Sequence, residues 1–427
     1  MTVRQQFKNA IKRGTGETHL LMKANPNIDF SSDIIKAALT NLSYDNQSEG
    51  SRADYVFELI ELSNQKEKIR QAILKALSTE RQDTWALDQL FDLAAKFAIQ
   101  GDKEAKKAIY KRYYKKTIQG SEWVGQDAII EIDGLEGLKH IAETKGKVIS
   151  KDPEEWEDSW TVDYFQEQNP TIKVYKELEK ASKSNEYIKT YLDTIKKHKA
   201  KFQKRERPKY NYQIVTEKIN SKVIVPLPPA GAKELSKTDI KKLADDFLKE
   251  TDRLKLEKYM RVFDRVKYPY DYQPLLRLAK SKNKKDDRLI EFATGSLKYF
   301  SGADIREFAI ENLKKVKIPS DYLDLLVSNY KKGDFKLLTE IVARCKNEHD
   351  IHSLVYGYIN IYQANKTKEC KEPLEVIYDK LTCGIHRADI VKILIENNVL
   401  SSRLKNEIKF DSYDEIRKLN DRKKNGL

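Results

Sequence analysis

Between residues 287 and 400 the apolar positions of the chain recur at intervals of three and four. In "DDRLIEFATGSLKYF" Ile290, Ala293, Leu297 and Phe300 fall on one side of a helical projection. Ile305, Ala309, Leu313 and Val316 do the same in the next segment, then Leu323, Leu326, Val327 and Tyr330, then Leu338, Ile341, Val342 and Cys345. Ile351, Leu354, Val355, Tyr358 and Tyr362 follow, and after them Ile377 with Leu381 and Ile390 with Ile393, Leu394 and Asn397. This spacing predicts a succession of amphipathic helices, each with one buried stripe and one wet side.

The joints between these helices share a device. In "AIQGDKEAKKAIYKRYY" the helical pattern stops at Gly101 and restarts at Asp102, and it is repeated in "YFSGADIREFAIENL" and "YKKGDFKLLTEIV". Gly101, Gly302 and Gly333 are placed to take the left-handed conformation that ends a helix. Asp102, Asp304 and Asp334 are placed to accept from the free N–H groups that open the next one. A joint this short folds consecutive helices back as antiparallel neighbours. A single hairpin cannot cover its own apolar stripe, so several are expected to stack.

"SGADIREFAIENL" resembles the second helix of a HEAT-type repeat, with an Asp, a basic residue two positions on, and Ala and Leu at core spacing. "GDKEAKKAI" and "CGIHRADIVKILIE" are similar to it more loosely. The resemblance covers about 286–400, with an echo over 53–145, and implies an all-α fold, an α-solenoid of stacked antiparallel helical hairpins, used as a scaffold. The unit from Asp304 to Asp334 is about thirty residues, shorter than the roughly 40–47 usual for HEAT repeats.

The middle of the chain departs from the pattern. "KKHKAKFQKRERPKYNYQIVTEKINSKVIVPLPPAGAKELSKTD" loses helical periodicity, and "YQIVTEKINSKVIVPLP" reads as a small β-hairpin around "EKINSK". "PLPPAG" is a break, after which Ser236 or Thr238 opens a new helix. The expected organisation is an N-terminal helical-hairpin region over 1–195, a basic, irregular or hairpin insert over 196–237, and a C-terminal HEAT-like region over 238–427.

Charge sharpens this division. The net charge is +14, but residues 1–200 balance, while 201–300 carry 25 basic against 14 acidic residues. A local basic block says more about partners than an even bias. Lys201, Lys204, Arg205, Arg207, Lys209, Tyr210 and Tyr212 interleave cations and aromatics, a combination able to neutralise phosphates and stack on bases. The following "DRLKLEKYMRVFDRV" puts Lys258, Arg261 and Arg265 opposite its apolar face of Leu256, Met260 and Phe263. The plainer reading is a solvated linker beside a charged helix face.

A second cluster, "KDPEEWEDSWTVDYF", sets carboxylates beside indoles. That combination can bind and attack a cationic alkylated base and is similar in residue types to the HEAT-like DNA alkyl-glycosylase family. The plainer expectation is a helix starting after Pro153, with acids in its first turn and Trp156 and Trp160 packed inward at i, i+4. A third group, Cys345, His349, His352, Cys370, Cys383 and His386, holds enough N and S donors for a zinc site, but its spacing matches no pair of ligand knuckles. Cys345 extends an apolar stripe, so buried thiols and no metal are expected.

Three cysteines in 427 residues point to a reducing compartment. "TVRQQFKNAIKRGTGE" after Met1 lacks the apolar core of a secretory signal, and no run of about 18 apolar residues occurs, so a soluble cytosolic protein without a membrane partner is expected. There is no Walker loop, GxGxxG, GxSxG or HExxH, so neither a cofactor nor a catalytic residue is assigned. These patterns predict a non-enzymatic adaptor that holds a protein partner in the concave groove of a solenoid. The alternative is a nucleic-acid-binding repeat protein, of the alkyl-glycosylase type, that uses the basic 199–265 region.

Overall fold

The apolar stripes become helix faces. A computed structural model describes residues 1–115, 118, 120–121, 123–152, 154–201, 209–283 and 287–422, the side chains of 200, 201, 421 and 422 excepted. Among these residues the regular structure is helical, with no strand, so the chain is all-α. No described helix is long and apolar enough to cross a membrane. The chain divides into two compact units. The first comprises 1–205, 382–384 and 405–427, the second 206–381 and 385–404.

In the first unit the helix Lys66–Thr79 buries Ile69, Ile73 and Leu77, four residues apart, and Thr84–Ile99 buries Leu87, Leu90, Phe91, Leu93 and Ala94. The joint after it is built as expected. Gly101 has φ +95°, and the Asp102 carboxylate accepts from the Glu104 and Ala105 N–H groups at 3.0 and 3.1 Å. Lys103–Arg112 then packs back on both preceding helices. The stretch Gln126–Lys151 is two helices in sequence, broken at Gly134 (φ 53°, ψ −125°). Its second part lies against Glu186–Lys201 so closely that a Cβ at Gly146 would strike the Tyr187 carbonyl.

The segment 405–417 belongs to this unit as well. The Ser412 N–H donates to the Gly14 carbonyl at 2.8 Å, and Arg417 pairs with Glu58 at 2.6 Å. Arg52, buried, donates to the Lys12 and Thr382 carbonyls at 2.9 and 3.2 Å.

In the second unit elements about thirty to forty positions apart are tied together by hydrogen bonds. Tyr272 Oη and Gln273 Nε2 donate to Asp304 at 2.8 and 2.7 Å. Arg306 grips Asp334 with both terminal nitrogens at 2.7 and 2.6 Å. Tyr330 Oη and the Gly333 N–H donate to Glu369 at 2.8 and 3.0 Å. The first unit has a matching pair, Arg70 on Asp102 at 2.9 Å, 32 positions apart. Planar two-pronged pairs of this kind fix orientation as well as distance.

Three expectations are corrected. Residues Tyr212–Asn220 form a helix rather than one arm of a hairpin: the Asn211 side chain accepts from the Ile214 N–H, and Val215 and Ile219 bury one face. Ser221–Pro228 contains no strand. Gly302 is extended, with φ −169°, not left-handed. Its lack of a side chain is needed because Tyr272 crosses over it: a Cβ there would lie 2.5 Å from the Tyr272 hydroxyl. Asp304 is the second residue of its helix and accepts from the Ile305 N–H at 3.0 Å as well as from Tyr272 and Gln273, whereas Asp334, at the cap position, makes no side-chain cap bond and accepts from Arg306 instead.

Gly302→Val is therefore expected to lower stability by about 1–3 kcal/mol through overpacking rather than backbone strain. Part of that loss should be absent in a Tyr272→Phe background. Urea unfolding of the four proteins checks this, and an unchanged midpoint in Gly302→Val refutes the contact.

Candidate functional site

The aromatic–acidic stretch forms a pocket of about 360 Å³ in the first unit, lined by Trp156, Asp158, Ser159, Trp160, Asp163, Tyr164, Glu167, His198 and Lys199. This reverses the inward-packing expectation. Residues 154–158 are not helical, and the helix Trp160–Gln168 starts too late for both indoles to share its face. Val162 and Phe165 take the buried positions instead. Trp156 is left 62% exposed and Trp160 60%.

The pocket wall is held from below. The buried Lys145 ammonium pairs with Glu157 at 2.7 Å, which anchors the irregular segment. The Glu157 carbonyl accepts from His198 Nδ1 at 2.6 Å, so that nitrogen carries a proton. The His198 ring then stacks on Trp156, centroids 6.2 Å apart. Trp160 stacks on Tyr164 at 5.2 Å, interplanar angle 6°.

Asp163 lies beneath the stacked pair and accepts from Ser159 Oγ at 2.7 Å, Tyr175 Oη at 2.6 Å and Lys199 Nζ at 2.9 Å. Burial pushes its carboxyl up, but the bonds from Tyr175, Ser159 and Lys199 outweigh this and hold it below its ordinary value. A carboxylate so engaged is a fixed negative charge, poorly suited to attack. Glu167 is exposed at the rim. Aromatic faces beside fixed carboxylates attract cations through the ring quadrupole and the charge together.

No family model, curated protein or solved structure matches the chain. The site is therefore read from its own geometry.

Of the basic–aromatic candidates, Lys204, Arg205 and Arg207 lie outside the described residues, as does the side chain of Lys201. Tyr212 donates to Asp246 at 2.8 Å, and the Tyr210 N–H donates to Glu234 at 2.7 Å, with Lys218 over the Tyr210 ring. Lys258 donates to the Ile219 and Ser221 carbonyls and so caps the end of the Tyr212–Asn220 helix. Arg261 lies on the Phe292 ring, 4.5 Å from its centroid. Lys209 and Arg265 are exposed.

Among the Cys/His candidates, the three cysteines are buried and His349 is exposed. His352 and His386 meet in the second unit, ring centroids 4.7 Å apart.

One acidic group was not singled out in the sequence. Asp88 and Asp92 stand one turn apart on the Thr84–Ile99 helix, and Asp127 faces them electrostatically. Burial, then the charges of Asp92 and Asp127, push the Asp88 carboxyl well up, and burial also raises Asp92 and Asp127. The available signal was two acids at i, i+4 in the mainly apolar run "TWALDQLFDLAAKFAI".

A carboxyl with a raised value binds its proton more tightly folded than unfolded. The folded state thus gains stability as the pH falls toward the ordinary carboxylate range and loses it as the pH rises through the raised value. Asp88→Asn is expected to stabilise the protein by about 1 kcal/mol at pH 8, a figure reduced for partial exposure. The difference should vanish near pH 4, measured as melting temperatures across that range. Equal effects at both ends would remove the raised carboxyl.

Proposed function

We propose that the protein is a non-enzymatic cytosolic adaptor built from HEAT-like helical hairpins, and that it holds a protein partner through a cationic group taken up by the Trp156–Trp160 pocket. The observation that carries this reading is the pair of exposed indoles beside Asp163. Two large aromatic rings left open to solvent, each stacked on a second ring and backed by a buried ion pair, are preorganised at no cost to the core. Trp is the residue type most enriched at binding hot spots, and the carboxylates select a positive partner, a lysine or arginine side chain. The engagement of Asp163 by three donors favours binding over chemistry.

A second reading, a nucleic acid carrying a cationic alkylated base, is favoured by one observation. Lys199 lines the pocket and is also the first residue of the basic run 199–209. A cationic base in the pocket would thereby bring its phosphates to a chain rich in lysine and arginine.

Titration with tetramethylammonium, and with a lysine- and arginine-rich peptide, should quench indole fluorescence. Trp156→Ala and Trp160→Ala should each weaken peptide binding by about tenfold or more. Absence of quenching by both ligands overturns the adaptor reading. For the second reading, a labelled single-stranded DNA should bind with a salt slope of about −0.7 per phosphate neutralised. Reversing Lys204, Arg205 and Arg207 to Glu should then lower affinity while helicity stays constant. Unchanged affinity removes the second reading.

A further inference from the structure

We propose that His352 and His386 form a binding site for a borderline divalent transition-metal ion of the zinc class. The pair lies wholly in the second unit, whereas the aromatic pocket belongs to the first. His352 projects from the second turn of the helix Glu348–Ala364, and His386 from the first turn of Gly384–Glu396. Their rings meet edge to face at 75°, and Tyr356, one turn beyond His352, closes on the His386 ring at 4.4 Å.

The state of His386 is what points to a ligand. The residue is 3% exposed, and among the described residues neither buried ring nitrogen has a hydrogen-bond partner. A neutral imidazole has one N–H to donate and one lone pair to fill. Folded proteins nearly always satisfy such groups when they bury them, because leaving them bare forfeits hydration for nothing. An uncharged imidazole is the form that coordinates metal.

The donor set narrows the ion. The ligating nitrogens of His352 and His386 lie within 4.8 Å of each other. Zinc–nitrogen bonds are about 2.0–2.1 Å, so a modest turn of the half-buried His352 ring lets one ion bridge the pair. Imidazole nitrogen suits zinc, copper, nickel and cobalt, whereas magnesium and calcium require oxygen. Two protein nitrogens leave the remaining coordination positions for water or other donors.

The test uses the full-length chain stripped with a chelator and titrated with zinc chloride. One equivalent should bind by calorimetry and raise the melting temperature. Cobalt chloride should give visible absorption bands of a nitrogen-ligated ion. His352→Gln and His386→Gln should each weaken zinc binding by more than about tenfold, as loss of a direct ligand exceeds the effect of losing an outer partner. His349→Gln, at the exposed histidine nearby in sequence, should not. If His386→Gln fails to fold, His352→Gln and the cobalt spectrum of the unaltered chain decide the matter. The proposal is overturned if zinc produces no heat and cobalt no band, or if binding survives undiminished in the folded histidine variants.

Discussion

An amphipathic helix cannot dry its own apolar side, and every stable part of this chain answers that constraint by laying helices against one another. Packing alone leaves helices free to slide and rotate. In this protein the freedom is reduced by charge-assisted bonds between elements far apart in sequence: Arg70 to Asp102, Tyr272 and Gln273 to Asp304, Arg306 to Asp334. In each case the acceptor stands at a joint, where backbone direction changes. The same carboxylates that stand at the joints thereby fix how helices about thirty residues apart lie on one another.

The helices themselves were legible, because a stripe of Leu338, Ile341 and Val342 can be covered in only one way. Gly101 and Asp102 were legible for a related reason: the information for that joint is contained within five residues. Gly302 was not. Its need for a bare backbone comes from Tyr272, thirty positions earlier, which no local pattern reveals. The β-branched run before Pro226 promised strands, yet Asn211 supplies a helix cap and Val215 and Ile219 a helical stripe, and these local bonds prevail over propensity.

The site was half legible. The residue types of the Trp156–Phe165 cluster were visible, but their exposure depends on where the helix begins. With its start at Trp160, the i, i+4 relation between the indoles loses its meaning, and Val162 and Phe165 become the core pair. The basic stripe illustrates the reverse. Lys258 and Arg261 look available on a helical wheel, but bare carbonyls at the end of one helix and the face of Phe292 claim them. The Asp88 cluster escaped notice because its character arises from burial and mutual repulsion, neither of which is a property of sequence spacing.

The return of residues 405–417 to the first unit has a kinetic meaning. Glu58 waits for a partner 359 positions further along, and the turn at Gly14 for Ser412. During synthesis the helix that carries Glu58 must therefore stand without this partner until the chain has been made 359 positions further on. Contacts of such sequence separation form slowly, and surfaces awaiting them are prone to wrong associations. These contacts work as a clasp on that unit, one that can close only once Ser412 and Arg417 have left the ribosome.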